Sequence, residues 1–454
     1  MLKKIDPFLF FAIVLHLIAL SFIQFTAWPE MTFWPYLILK GWFPYRDIAI
    51  AHNPMMIADL SIFYSFLGVG LWQLKIYTFC LIAVLDIVLY MIVRELWNKK
   101  TALIALCFYI PLQIFYEGNG LWFDLYMTLP ILFLFYFIYK QRYFEAGVFW
   151  MLAFLSKQTA VWFLFPIAIS TLKGTTLQGL AGSLRSVRKF VLGCMIVSVL
   201  TLTIIWGLGI LPDYIFWAYE FGVKTLPSSA GQIYYPSFRQ FVIALFSFTI
   251  LIFGLFMKNK KDILSVSVWA LVGILGVIPR WELFHFQPGL PFLAIAASLI
   301  FIGVNKKLTV KYALVFYLLI TSILIIRSLK VTWGKETRFY EKEVFSMSRY
   351  IDEQSVNGSK IYVLNAWDSI YVLSDTLPAV DPWVPHLSWY MELSGVQEEM
   401  VDDIRENKPE LIVVKPFTDT GLSSYKPDKV VRYIEENYED NTTVEGYRIF
   451  KLRK

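Results

Sequence analysis

Between Trp28 and Met56 the chain reads WPEMTFWPYLILKGWFPYRDIAIAHNPMM, and Glu30, Lys40, Arg46, Asp47, His52 and Asn53 stand there among aromatic and apolar residues. Acids are scarce around them, since residues 1–330 hold only 13 Asp and Glu. A carboxylate can take a proton from a hydroxyl, and a group of cations can hold a phosphate leaving group. Further on, Asp124, Lys157, Gln158, Arg280 and His285 fall at or near the ends of long apolar runs. Charged groups at membrane depth are costly, so each is a functional candidate by default. Together they point to group transfer from a lipid phosphate, worked by residues gathered at one membrane surface.

The elements that must position them are transmembrane helices. Of the 454 residues, 57% are hydrophobic, 18% aromatic and only 17% charged, whereas soluble domains carry about 25% charged residues. The first span is expected at Pro7–Ala27 behind Lys3 and Lys4, read as a signal anchor with a cytoplasmic N-terminus. The stretch after it is then external, and its short apolar pieces, Phe33–Leu39 and Met55–Leu67, read as interfacial helices. The spans that follow are Leu71–Trp97, Thr101–Tyr116, Leu121–Tyr139, Phe144–Ser156, Val161–Leu172, Phe190–Leu211, Phe241–Met257, Ile263–Ile278, Gly289–Val304 and Tyr312–Leu329. That makes about 11 transmembrane helices, with two or more Lys or Arg at every inferred cytoplasmic turn, including a basic loop at Lys173–Lys189. Pro212–Gln240 reads as a long aromatic outer loop.

The formal charge of +6 conceals two regions. Residues 331–454 hold 15 Lys and Arg against 22 Asp and Glu, and residues 1–330 hold 26 against 13. The basic excess sits in short loops between apolar runs, which is a membrane-topology signal and excludes a nucleic-acid-binding reading. The expected organisation is a membrane domain at 1–330 and an extracytoplasmic α/β domain at 331–454. In the latter, Arg338–Asp352, Val396–Glu406 and Lys429–Asn437 read as helices, Lys360–Leu364 and Leu411–Val414 as strands, and Thr442–Leu452 as paired strands. Neither a nucleotide-binding glycine loop nor an HExxH zinc motif is present. Cys80, Cys107 and Cys194 all lie within apolar runs, so no disulfide framework is expected.

Several short motifs resemble the GT-C fold membrane glycosyltransferases, in particular the branch of protein O-mannosyltransferases and aminoarabinose transferases that use polyprenyl-phosphate sugar donors. They are an acid just after the first span (Glu30), the turn Gly41-Trp42-Phe43-Pro44-Tyr45-Arg46-Asp47, and His52-Asn53-Pro54. LSKQTA at Leu155–Ala160, RWELFHFQPGLPFLAIAA at Arg280–Ala297, DSIYVLSDTLP at Asp368–Pro378 and NKPELIVV at Asn407–Val414 add to it. The resemblance implies inverting transfer of a sugar on the outer face of a plasma (inner) membrane, to a hydroxyl of a lipid, glycan or protein acceptor.

By that resemblance Glu30 is the general base, and Asp47 orients a substrate or, with His52, ligates a divalent metal such as Mg or Mn. Lys157, Arg280, His285 and His52 neutralise the donor phosphate, while Tyr45, Arg46, Asp124 and Gln158 contact substrate. Each has a plainer reading beside this one. Asp47 suits an ordinary turn after Pro-Tyr-Arg, Lys157 could snorkel, and Arg280 and His285 could anchor an aromatic interface. Asp86 and His16 lie inside spans, where Asp86 is expected to be paired or protonated and His16 packed. The competing functional class is a transporter or flippase for a lipid-linked or small solute. It would want charges along a path through the membrane rather than at one face.

Overall fold

The computed structural model describes residues 6–171, 177–229, 233–257, 260–278, 280–303, 308–417 and 426–453. The chain forms two compact units. The first comprises Met1–Phe25, Ile76–Thr203 and Tyr234–Lys335; the second comprises Thr26–Lys75, Ile204–Ile233 and Glu336–Lys454.

The first unit is helical. Among the described residues, Leu71–Leu96, Gly182–Gly207, Leu283–Gly303 and Lys311–Thr332 are long and apolar enough to cross a membrane; of six shorter apolar helices, Met55–Leu67 lies in the second unit and the others in the first. Large apolar side chains such as Leu192, Met195, Ile196, Val199, Tyr312, Val315, Phe316 and Leu319 are exposed. An outward apolar band of this kind is what lipid solvates and water does not.

Several buried polar side chains in this unit find partners within it, as a medium without water favours. His16 Nδ1 lies 2.8 Å from Asp86 Oδ2, and its Nε2 lies 3.0 Å from Gln113 Oε1, all fully buried. The expectation of a paired Asp86 is met by the residue expected only to pack. Asn119 Nδ2 donates to the carbonyls of Leu20, Ile23 and Gln24, each at 3.0 Å, and so caps the end of the first helix from the short loop after Phe115. A Cβ on Gly147 would lie 2.0 Å from the Phe190 carbonyl, and one on Gly193 would lie 2.1 Å from that of Phe144. The helices Tyr143–Ser156 and Leu177–Gly207 therefore cross backbone to backbone.

Three expectations shift. The basic stretch read as a loop lies within the Leu177–Gly207 helix from Leu177 onward, because LRSVRK contains no helix breaker; Lys173 lies outside the described residues. The run Phe241–Met257 is broken into Phe238–Phe246, a 3₁₀ turn Ser247–Thr249 and Ile250–Gly254. Within Pro212–Gln240, Leu211–Ile215 is α-helical and Phe216–Thr225 is a π-helix.

The second unit is built on a five-stranded sheet, β1 Lys360–Leu364, β2 Leu377–Pro378, β3 Leu411–Val414, β4 Tyr438–Val444 and β5 Tyr447–Leu452, in the order β2-β1-β3-β5-β4. β1 is parallel to β2 and β3, whereas β5 runs antiparallel to β3 and β4. The all-buried LIVV of β3 is the continuous apolar run that a sheet covered on both faces requires. Amphipathic helices Lys342–Gln354, Val396–Asn407 and Asp428–Asn437 bury Val344, Met347, Ile351, Met400, Ile404, Val430 and Ile434. The first of these begins four residues later than the sequence implies. Phe339 takes a left-handed backbone (φ 70°), and Tyr340 turns inward to meet Thr32 Oγ1 at 2.7 Å.

The stretch after the first helix joins this unit. Helix Glu30–Leu39 buries every residue from Met31 to Leu37. Phe33 stacks on Tyr371 with ring centroids 5.1 Å apart and meets Trp383 edge-on at 5.0 Å. Tyr64, from helix Met55–Leu67, donates to the Met31 carbonyl at 3.2 Å.

Candidate functional site

Three of the residues singled out from the sequence meet in the first unit. Asp124 is the second residue of helix Phe123–Tyr139, where the helix dipole favours an anion. Lys157 sits where helix Tyr143–Ser156 stops: its backbone is extended (φ −155°, ψ 136°), and a 3₁₀ turn, Gln158–Phe163, follows. His285 lies on the 3₁₀ segment Leu283–Gly289. Lys157 Nζ donates to Asp124 Oδ2 at 2.5 Å, and His285 Nδ1 lies 2.7 Å from the same oxygen and 3.0 Å from Lys157 Nζ. The three are 0, 6 and 7% exposed.

Nδ1 of His285 cannot accept from Lys157 and donate to Asp124 at once. The ring therefore has two hydrogen-bonding states, set by whether Nδ1 carries a proton. Asp124 Oδ1 and the neighbouring Thr159 Oγ1 are buried with no hydrogen-bond partner among the described residues. An anion-and-cation cluster with spare polar atoms is a place where a ligand group can be met.

The local fold holds the cluster in place. Gln287 Nε2 donates to the carbonyls of Gln113 (3.2 Å) and Tyr116 (2.8 Å), and Phe286 stacks on Tyr116 at 4.9 Å. A Cβ on Gly273 would fall 2.5 Å from Gly289 Cα, so the segment bearing His285 lies directly against the Lys260–Gly273 helix. Arg280 pairs with Glu282 (3.4 Å), bridges to Tyr234 and lies within electrostatic reach of His285. Gln158 follows Lys157 on the 3₁₀ turn.

The second unit holds the other set. Glu30 opens its helix half-buried, and its Oε2 is sealed from solvent without a hydrogen-bond partner among the described residues. Burial pushes its carboxyl up to about 7. That is the value a general base at neutral pH needs. Asp47 closes its own turn: Oδ2 accepts from the Phe43 amide at 2.6 Å and Oδ1 from Arg46 Nε at 3.1 Å. Arg46 lies over the Phe43 ring at 4.1 Å. Tyr45 is buried in a left-handed conformation (φ 69°), and its hydroxyl donates to the His52 carbonyl at 2.9 Å.

With both Asp47 oxygens occupied in the turn, and no group of three His, Cys, Asp or Glu side chains gathered among the described residues, these residues do not fit a divalent-metal site. Asn53 Oδ1 accepts from Tyr214 (3.0 Å) and Tyr219 (3.2 Å), and the latter comes from the π-helix. π-Helical turns frequently mark functional sites.

Two groups escaped the sequence reading. Tyr214 and Tyr219 lie in the outer loop whose aromatic residues, from sequence, suit sugar stacking or more commonly a membrane-interface belt, with nothing to link them to Asn53. Asp368 lies in electrostatic contact with Glu30, and its one sequence signal was an acid opening the DSIYVLSDTLP piece.

No protein-family model and no curated protein matches the sequence. Solved structures do match. ArnT from Cupriavidus metallidurans, bound to undecaprenyl phosphate, is 10% identical with a TM-score of 0.65, covering 98% of this chain and 97% of that one. Its apo state gives 11% and 0.63, covering 98% and 96%. The Archaeoglobus fulgidus oligosaccharyltransferase tethered to an acceptor peptide is 11% identical with a TM-score of 0.53, covering 99% of this chain and 74% of that one. Likenesses of this extent at such low identity establish the fold, which is the polytopic helical GT-C fold.

Proposed function

We propose that this GT-C chain is an integral-membrane inverting glycosyltransferase that moves a sugar from a polyprenyl-phosphate donor to an acceptor hydroxyl at the outer membrane face. Glu30 is the base. Its ionised carboxylate takes the acceptor proton as the acceptor oxygen forms its bond to the anomeric carbon. The bond from that carbon to the donor phosphate breaks, and the electron pair leaves with polyprenyl phosphate. Lys157, Arg280 and His285 bear on the phosphate charge that develops, with Asp124 orienting Lys157 and His285. Tyr45, Arg46, Asp47 and His52 shape the acceptor side, and no step runs through a metal. About eleven spans, a cytoplasmic N-terminus and an extracytoplasmic region from residue 331 complete the reading, in a plasma membrane.

The observation that carries it is the Glu30 carboxyl, raised to about 7 and with Oε2 buried without a hydrogen-bond partner among the described residues, in a chain whose fold matches a protein with undecaprenyl phosphate bound. The test is release of undecaprenyl phosphate by proteoliposomes supplied with a panel of undecaprenyl-phosphate monosaccharides and candidate acceptors. Wild type should release it with at least one donor, and Glu30→Gln should be slower by about 10²-fold or more. Undiminished release by a folded Glu30→Gln would remove the base, and no release from any donor would remove the transferase.

A further inference from the structure

Helix Glu30–Leu39 and helix Ser369–Leu373 lie side by side and in register within the second unit. Tyr36 donates to Asp375 Oδ1 and to the Thr376 carbonyl, both at 3.0 Å. One turn back Phe33 stacks on Tyr371. Beyond that, Trp28 and Trp367 pack on the same Phe339 ring, at 4.9 and 4.6 Å, and Ser369 Oγ donates to the Phe339 carbonyl at 3.2 Å. Stepping back one more turn from Phe33 and Tyr371 brings Glu30 opposite Asp368. Asp368 stands at the N-terminal end of its helix yet makes no capping hydrogen bond, and Glu30 Oε2 is sealed without a hydrogen-bond partner among the described residues.

We propose that Asp368 is a positioning residue for Glu30, the two carboxyls holding one proton between them at neutral pH so that Asp368 stays neutral beside an ionised Glu30. Two carboxylates enclosed together cannot both ionise freely, because each charge is desolvated and repels the other. Burial and then the Glu30 charge hold the Asp368 carboxyl well above the usual range, in line with this order of ionisation. The other titratable or charged groups around the pair are accounted for. Glu30 also pushes up the Tyr390 hydroxyl, Arg338 lies over the Trp28 and Phe339 rings, and Glu341 accepts from the Phe339 amide. Tyr340 is bonded to Thr32, Tyr64 to the Met31 carbonyl and Tyr371 to the Val363 amide, while Lys40 is paired with Asp375 at the far end of the helix. A neutral Asp368 steadies Glu30 without adding a second charge that would repel the departing phosphate. This role rests on Glu30 being the base; the shared proton does not.

The test reads protonation directly, on the full-length protein in detergent. Dicyclohexylcarbodiimide adds to protonated carboxyls in apolar surroundings, and peptide mass mapping against pH gives the pH at which each residue stops reacting. In wild type, Asp368 should go on reacting to a higher pH than Glu30. Glu30→Gln should lower the Asp368 limit by about one unit or more, because the neighbouring charge is gone. Asp368→Asn, which presents a neutral group like the protonated acid, should leave the Glu30 limit near its wild-type value. An Asp368 limit unchanged by Glu30→Gln, or no reaction of Asp368 at any pH, overturns the pair. Should that variant fail to fold, wild type alone decides, since an Asp368 limit at or below that of Glu30 also overturns it. Full sugar transfer by Glu30→Gln would instead remove the catalytic reading and leave the coupled pair standing.

Discussion

At the scale of single residues, two kinds of burial lead to opposite expectations. Glu30 is an acid whose Oε2 is buried without a hydrogen-bond partner among the described residues, and its folded value of about 7 lies above its ordinary 4.5. The protonated form is therefore the one that folding favours. Its contribution is complete below about 4.5 and is lost as the pH rises through 7. Glu30→Gln should accordingly match wild type in thermal midpoint near pH 4.5 and exceed it at pH 8. Catalysis depends on the ionised form, so transfer should rise through about pH 7 and level off above it, which a kcat/KM profile checks. Asp124 and Lys157 form a buried pair instead. Removing one partner strands the other, at about 3–5 kcal/mol. Lys157→Met and Asp124→Leu should each lower the melting temperature strongly, and the double variant should melt above either single one. A double variant that is merely the sum of the two would deny the pairing.

At the scale of elements, the site depends on close backbone approaches that leave no space for a side chain. The segment carrying His285 rests on the Lys260–Gly273 helix through Gly273 and Gly289. Gly289→Ala places a methyl 2.6 Å from the Ala270 carbonyl, so the segment must move away. Transfer should fall through loss of the His285 position while the protein remains inserted and folded. His285→Ala in the Gly289→Ala background should then add little further loss, a non-additivity that assigns the effect to that histidine. The break at Lys157 works similarly. Its extended backbone ends one helix and turns the side chain to Asp124, so the short spans flanking a lysine, a weak point of the hydropathy pattern, are what create the cluster.

At the scale of the whole molecule, the apolar helices with exposed aliphatic faces bear on the membrane reading. A feature that favours transport is an ionisable pair inside the helical unit, His16 with Asp86. It is fully buried and tied to Gln113, which suits a structural clasp as well as a relay. Liposomes loaded with undecaprenyl phosphate sugars separate the two classes. Transfer without net movement of donor between leaflets is expected, and donor movement that persists in Glu30→Gln would favour a flippase. His16→Leu should destabilise the protein by stranding Asp86, and His16→Leu with Asp86→Leu should recover much of that loss, as melting in detergent would show.

The sequence by itself determined what local physics writes into a chain. The apolar runs marked most of the helices to within a few residues, the fall in hydropathy and change of charge near residue 330 marked a region of strands and amphipathic helices, and short motif pieces pointed to the GT-C fold. Strands Lys360–Leu364 and Leu411–Val414 were legible because a run of β-branched and aromatic residues buried on both faces has little else to become. Charge scarcity likewise singled out Glu30, Asp124, Lys157 and His285, because an ionisable group among apolar residues must have a partner or a purpose. Only the tertiary structure decided who the partners are. Asp124, Lys157 and His285 are up to 161 residues apart, and Asp368 lies far along the chain from the Glu30 it faces. Such proximities are set by helix crossings, glycine contacts and the register of two short helices, none of which leaves a periodic trace in the sequence.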